Sequence, residues 1–81
     1  MRLYVGNLAG DVTEADLAEA FAGAGTVTNI TVAFDPDSGK TRGFGFVEMA
    51  TDAEGERALQ RCNGLTVKGR PLVVNEARPK K

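Results

Sequence analysis

The sequence has no histidine, no tryptophan and a single cysteine, Cys62. Histidine is the commonest general acid–base group and, together with cysteine, a frequent zinc ligand, so neither triad chemistry nor a zinc site is expected. A lone cysteine cannot close an internal disulfide, and we expect Cys62 to be a small buried residue of a helix. We therefore predict a protein that is not an enzyme, holds no metal and uses no cofactor.

Long apolar runs are also missing, and none approaches the ~20 residues that a transmembrane helix needs. The apolar segment Leu3-Tyr4-Val5 is too short for a signal peptide. With 81 residues, of which 42% are hydrophobic and 26% charged, the composition indicates one small globular domain. We expect a cytoplasmic monomer that contacts no membrane.

Basic residues are absent from positions 3–39, which carry six acidic residues, whereas positions 40–81 carry nine basic and five acidic ones. The net charge of −1 therefore conceals an uneven distribution. If the acidic first half lies behind a sheet, cations such as Arg2, Lys40 and Arg42 are free to gather near its front and to favour phosphate there. Binding to a polyanion should still depend less on charge than it does in strongly basic proteins.

Four stretches have the apolar spacing of β-strands and two have that of helices, in the order β-α-β-β-α-β. Positions 35–40, Asp-Pro-Asp-Ser-Gly-Lys, have the turn residues of a hairpin loop. A four-stranded antiparallel sheet with both helices on one face is the split β-α-β plan, an α+β fold of the ferredoxin-like type. The predicted strands are 3–5, 27–34, 42–49 and 72–75.

Both helices begin after a threonine that can act as an N-cap. Thr13 with Asp16 nearly matches the capping box, and Thr51 with Glu54 matches it in full. We expect the glycines at positions 23 and 25 to end the first helix in a left-handed turn, and Asn63-Gly64 to end the second helix.

The predicted core combines the inner faces of the strands with one face of each helix. Phe34 shares a strand face with Ile30 and Val32, so we expect it to lie in the interior, as we do Phe21. The other inward residues are predicted to be Leu3, Val5, Leu17, Val47, Met49, Ala58, Leu59, Leu72 and Val74.

The third strand, Arg42-Gly43-Phe44-Gly45-Phe46-Val47-Glu48-Met49, alternates between two kinds of side chain. Phe44 and Phe46 share one face with two charged residues, and burying those charges would be costly, so this face should remain in water. The alternative, with both rings in the core, would bury the charges. In the first strand, Tyr4 likewise shares a face with Arg2. Exposed rings beside cations indicate a flat, negatively charged ligand such as single-stranded nucleic acid.

These two strands resemble the two signatures of a known family, the RNA recognition motif. Its longer signature is a basic residue, glycine, aromatic, glycine or alanine, aromatic, valine, any residue and an aromatic. Positions 42–48 match it throughout, and Met49 departs from it at a core-facing place. Positions 3–8 match the shorter signature, aliphatic-aromatic-aliphatic-x-Asn-Leu. The resemblance spans positions 2–78 and is greatest to short single-domain members from bacteria and plant organelles. It implies a domain over 1–78 and a basic tail over 79–81.

The resemblance implies that Tyr4 and Phe44 each stack a nucleobase, that Phe46 packs against riboses and that Arg42 pairs with a phosphate. Stacking contributes ~1–3 kcal/mol per base, so we expect it to dominate. The implied partner is single-stranded RNA, with single-stranded DNA as a further candidate because stacking does not require the 2′-hydroxyl. No small-molecule substrate is implied.

Stacking does not distinguish one base from another, so selectivity must come from hydrogen bonds to base edges. The end of the last strand, from Asn75 to Arg78, is the first candidate for this role, and Lys40 with Thr41 is the second. Glu48, with Thr31 or Ala33, is a third. The RNA-binding residues that we predict are Tyr4, Lys40, Arg42, Phe44, Phe46, Asn75 and Arg78.

Two other functions are compatible with the same plan. A protein-interaction module could dock a peptide on the exposed rings, although aromatic residues in both signatures favour RNA. A small hydrolase of the acylphosphatase type would need an arginine in a phosphate-binding loop near the N-terminus, and positions 6–11 contain none.

Overall fold

The computed structural model describes residues 1–77. The predicted element order is confirmed, with one addition: a hairpin of two short strands lies in the connector before the last strand. No helix within the described residues is long and apolar enough to cross a membrane. The elements are β1 (Arg2–Gly6), α1 (Glu14–Ala22), β2 (Val27–Phe34), β3 (Thr41–Met49), α2 (Asp52–Cys62), β4 (Thr66–Val67), β5 (Arg70–Pro71) and β6 (Val73–Glu76).

The main sheet is antiparallel and has the strand order β2-β3-β1-β6. The two strands that carry the aromatic residues, β1 and β3, are therefore its two central neighbours. Their register places Tyr4 directly opposite Phe46, and on its other side Tyr4 lies opposite Asn75 of β6. Side chains at directly opposed positions of one sheet face lie close together, so this register brings the predicted ring residues into one group.

The core lies between the sheet and the two helices. All the predicted core residues are buried except Phe34, Ile30 and Leu59, of which the last two are half-buried against the core. Cys62 is buried as expected, and its thiol donates to the Ala20 carbonyl over 3.5 Å. The core also contains two residues from the loop between β1 and α1 that the sequence analysis missed, Leu8 and Val12.

Phe34 does not lie in the interior as predicted, because 42% of its surface is exposed. The pairing of β2 with β3 shifts register just before it: Val32 lies opposite Gly45, but Phe34 lies opposite Thr41. Between these two pairs β2 has one residue and β3 has three, so the strands form a bulge there. A bulge interrupts the strict alternation from which the buried position was predicted.

The first helix begins with a complete capping box and ends without a left-handed residue. Asp16 N–H donates to Thr13 Oγ1 over 3.2 Å, and Thr13 N–H donates to Asp16 Oδ2 over 3.0 Å. Gly23 at the C-cap has φ −69°, an ordinary right-handed value, so the predicted left-handed turn is wrong at that position.

The second helix has only half of its predicted capping box. Glu54 N–H donates to Thr51 Oγ1 over 3.1 Å, but the Glu54 carboxylate does not return to the Thr51 N–H. It accepts instead from Thr26 N–H, at 2.6 Å, and from the Thr51 hydroxyl, at 3.0 Å. The side chain can reach Thr26 because it packs on Gly25, where a Cβ would stand 2.6 Å from Glu54 Oε2.

Candidate nucleic-acid interface

Three aromatic rings form a compact group on the sheet face opposite the helices, and we call Tyr4, Phe44 and Phe46 the ring cluster. Their centroids are separated by 5.9 to 6.3 Å. Tyr4 and Phe44 are nearly parallel, at 20°, whereas Phe46 stands at 68° and 82° to these two rings. All three side chains are half-buried, so each retains exposed surface that a planar ligand can contact.

The Tyr4 ring lies along its own strand because Gly6 leaves room for it. A Cβ on Gly6 would stand 2.8 Å from Tyr4 Oη and 2.9 Å from its Cε2, closer than real side-chain contacts allow. Gly6 itself is buried, which is consistent with a ring lying over it. A side chain at position 6 would therefore change the position of the Tyr4 ring.

The two glycines of the third strand serve different purposes. Gly43 has φ +97°, a backbone conformation that glycine adopts without strain, and it lies within the bulge of β3. Gly45 is buried where β2 approaches closely, since a Cβ there would stand 2.6 Å from the Thr31 carbonyl oxygen. The glycines on either side of Phe44 thus set the backbone path that presents its ring.

Arg2 is a part of this face that the predicted site omitted. Its guanidinium lies over the Phe46 ring, with Cζ 4.5 Å from the ring centroid, which is the geometry of a cation–π contact. Alternation along β1 had placed Arg2 and Tyr4 on one face. Alternation does not give the register between strands, and it is the pairing of Arg2 with Glu48 that puts Arg2 beside Phe46.

The loop cations and Thr41 lie at the end of the sheet near the start of β3. Arg42 is exposed, but the bulge means that alternation alone does not fix its side chain on the ring face. The Lys40 side chain passes over Gly10, where a Cβ would stand 3.4 Å from Lys40 Cδ. Thr41 donates its hydroxyl to the Ala9 carbonyl over 2.7 Å, so this hydroxyl hydrogen is already used.

The last strand places Asn75 next to the ring cluster, exposed and opposite Tyr4. Arg78 and the predicted tail over 79–81 lie outside the described residues.

A recess lies at the other side of the cluster. It has a volume of about 110 Å³ and is lined by Phe46, Arg2 and three polar residues of β2 and β3, namely Asn29, Thr31 and Glu48. Of the selectivity candidates on the sheet, Glu48 and Thr31 thus border one cavity.

Asn7 of the shorter signature has a structural role at the end of β1. It adopts a left-handed conformation, with φ +58°, which asparagine tolerates better than most residues. Its side-chain amide donates to the Pro71 carbonyl over 2.7 Å and so ties β1 to the hairpin of β4 and β5. The same residue that completes the signature therefore fixes the chain where the Tyr4 strand ends.

Nothing in the described residues suggests a metal or redox centre. No group of three or more histidine, cysteine, aspartate or glutamate side chains that could hold a metal ion lies within residues 1–77. Burial raises the pKa of the Cys62 thiol, which keeps it protonated and unreactive near neutral pH. A cavity of about 500 Å³ lies between the helices and the β4–β5 hairpin, where Cys62 and Val67 line it.

Comparison with known proteins places this geometry in a family. Residues 3–73 match the family model described as the RNA recognition motif. RbpA of Synechocystis sp., a protein named for RNA binding, is 46% identical over 80 residues, which cover 99% of this chain and 79% of that protein. The crystal structure of RNA-binding protein PG1 superposes with a TM-score of 0.86 at 41% identity, covering 99% of both chains. A complex of the Sxl-lethal protein with RNA superposes with a TM-score of 0.88 at 30% identity, covering 99% of this chain and 48% of that one.

Proposed function

This chain belongs to the RNA recognition motif family, and on that premise we propose that it binds single-stranded RNA on the face that carries the ring cluster. The observation that carries the proposal is the grouping of Tyr4, Phe44 and Phe46 within 6.3 Å of one another on the open side of the sheet. Exposed aromatic rings of this spacing are suited to unpaired bases, which are flat and apolar on both faces.

Stacking on the rings supplies most of the binding free energy in this proposal. Each base stacked on an aromatic side chain contributes ~1–3 kcal/mol, whereas a single phosphate contact from Arg42 contributes less. The net charge of −1 is in line with a small contribution from phosphate contacts. Single-stranded DNA of the same length should bind by the same stacking, more weakly wherever the 2′-hydroxyl is contacted.

We also propose that the protein is not an enzyme, that it is a monomer and that it acts in the cytoplasm. The absence of histidine and the lack of a metal-holding cluster in residues 1–77 support a binding role.

Removal of one ring at a time tests the proposal. We expect Tyr4→Ala and Phe44→Ala each to weaken the binding of a short single-stranded RNA by ~1–3 kcal/mol, about five- to 150-fold, in a fluorescence anisotropy titration. Phe34→Ala is the matched control, because it removes an exposed phenylalanine outside the cluster, and it should leave the affinity unchanged. NMR titration should show the largest shifts at ring-cluster residues. Unchanged affinity in both Tyr4→Ala and Phe44→Ala would refute the stacking mechanism.

That Phe44 stacks a base and Phe46 packs against a ribose stays a prediction, and abasic oligonucleotides test it. An RNA that lacks one base but keeps its sugar loses the stack and retains the ribose contact. With an RNA that lacks the base stacked on Phe44, Phe44→Ala should weaken binding little further. Phe46→Ala should weaken the binding of this abasic RNA by the same factor as it weakens the binding of the intact RNA. The reverse result would assign the base to Phe46 and the ribose to Phe44.

A further inference from the structure

The recess beside Phe46 is assembled by three neighbouring strands around one carboxylate. Glu48 of β3 lies opposite Arg2 of β1 and opposite Asn29 of β2. With Thr31 and the Phe46 ring, these residues line a cavity of about 110 Å³ on the face where we place the RNA. The cavity is too small for a whole nucleotide but adequate for the edge of a base whose ring lies on the neighbouring aromatic surface.

The hydrogen-bonding groups in this recess are unused. Within residues 1–77, neither the Glu48 carboxylate nor the Asn29 amide has a hydrogen-bond or ion-pair partner. Arg2 forms no ion pair with Glu48 within 4.0 Å, and its Cζ lies 4.5 Å from the centroid of the Phe46 ring instead. An ionised carboxylate only accepts hydrogen bonds, so the Glu48 side of the recess favours a ligand edge with N–H donors.

The geometry points to a guanine-selective subsite in which Glu48 accepts from the Watson–Crick edge of a base next to Phe46; this inference rests on the RNA binding proposed above. Guanine is the one standard base that presents two adjacent N–H donors, N1–H and N2–H, which match the two carboxylate oxygens. Its O6 then accepts from the Asn29 amide or the Arg2 guanidinium, both of which are donors.

The other bases fit this arrangement less well. Uracil offers one N–H between two carbonyl oxygens, and both oxygens face the carboxylate unfavourably. Adenine and cytosine each offer one amino group beside a ring nitrogen that is an acceptor, so the second carboxylate oxygen meets a lone pair. Selectivity therefore arises at Glu48 as much by rejecting these edges as by accepting guanine.

A series of short oligouridines, each with one guanosine at a different position, tests the inference. We expect one position at which guanosine raises the affinity at least about fivefold over uridine, by anisotropy titration, the low end of a good paired contact. Adenosine at that position controls for the stacking of a purine ring and should fall short of guanosine. Inosine, which lacks the N2 amino group, should lie between them. Glu48→Gln should reduce the affinity for the guanosine oligonucleotide to about that for the adenosine oligonucleotide.

Two controls separate this inference from the RNA-binding function on which it rests. Glu56→Gln removes an exposed carboxylate from α2 and should preserve the guanosine ratio. Tyr4→Ala should weaken all the oligonucleotides while the ratio persists. The guanine subsite would be refuted, and RNA binding would not, if the wild type bound guanosine no better than uridine at every position. An unchanged preference for guanosine in Glu48→Gln would refute it equally. Failure of the wild type to bind any of the oligonucleotides would refute the proposed function itself.

Discussion

At the scale of the residue, Gly6 supports the ring cluster because the Tyr4 ring lies over it. We predict that Gly6→Ala weakens RNA binding by a smaller factor than Tyr4→Ala, because the new Cβ would stand 2.8 Å from Tyr4 Oη and must displace the ring. Anisotropy titrations of both single variants and of the double variant measure the coupling. In the Tyr4→Ala background, Gly6→Ala should have no further effect, since the ring that it displaces is gone.

A matched substitution shows whether the effect belongs to this site. Gly23→Ala places a Cβ where no atom lies within 4 Å, at a right-handed φ of −69°, and should change neither affinity nor stability by much. Additive losses in the double variant would mean that Gly6 acts through the stability of the fold rather than through the Tyr4 ring. Thermal unfolding of each variant distinguishes these two cases.

At the scale of the element, Glu54 joins the start of α2 to the start of β2, and this link should depend on pH. Two hydrogen bonds lower the pKa of Glu54. The one from Thr26 N–H has the larger effect, and the one from the Thr51 hydroxyl has the smaller. A carboxyl whose pKa is lower in the folded state stabilises that state when ionised, so the contribution is present above the unfolded-state pKa and is lost as the pH falls through the folded-state pKa.

We predict that Glu54→Gln lowers the urea midpoint of unfolding at about pH 7, and that its difference from the wild type shrinks on acidification to about pH 3. The variant keeps the shape of the side chain but removes its charge. Glu56→Gln removes a neighbouring exposed charge on the same helix and should show no such convergence. A difference between Glu54→Gln and the wild type that stays constant over this pH range would contradict the assigned cause.

The elements also show where sequence reasoning succeeds and where it stops. Strand alternation correctly placed Leu3, Val5 and Val47 in the core, because it is a local property of an extended chain. It failed at Phe34, where a bulge formed jointly by β2 and β3 changes the register. Pairing between distant strands decides such a bulge, and neither strand encodes it alone.

The same distinction applies to the caps and to the site. Thr51 and Glu54 satisfy the local capping pattern, yet Glu54 bonds to Thr26, a residue 28 positions away. In the site, strand alternation placed the rings on the open face of the predicted sheet, but the position of Arg2 over Phe46 depended on the register of β1 against β3. Sequence patterns therefore give the elements and the exposed faces, while contacts between elements select the side-chain partners.

At the scale of the whole molecule, the distribution of charge predicts a weak dependence of binding on salt. The chain has a net charge of −1, and the recess on the ring face contains a carboxylate, so few phosphates can be neutralised when RNA binds. Each neutralised phosphate of a single strand contributes ~0.7 to the slope of log affinity against log salt concentration.

We therefore predict a slope of magnitude about one to two between about 50 and 500 mM salt, measured with a short single-stranded RNA. Arg42→Ala should reduce this slope by about 0.7, because it removes the proposed phosphate contact, and should weaken binding moderately. Tyr4→Ala should weaken binding more at every salt concentration while leaving the slope unchanged, since stacking releases no counterions. A steep slope in the wild type, together with near-normal affinity in Tyr4→Ala, would mean that charge rather than the ring cluster holds the RNA.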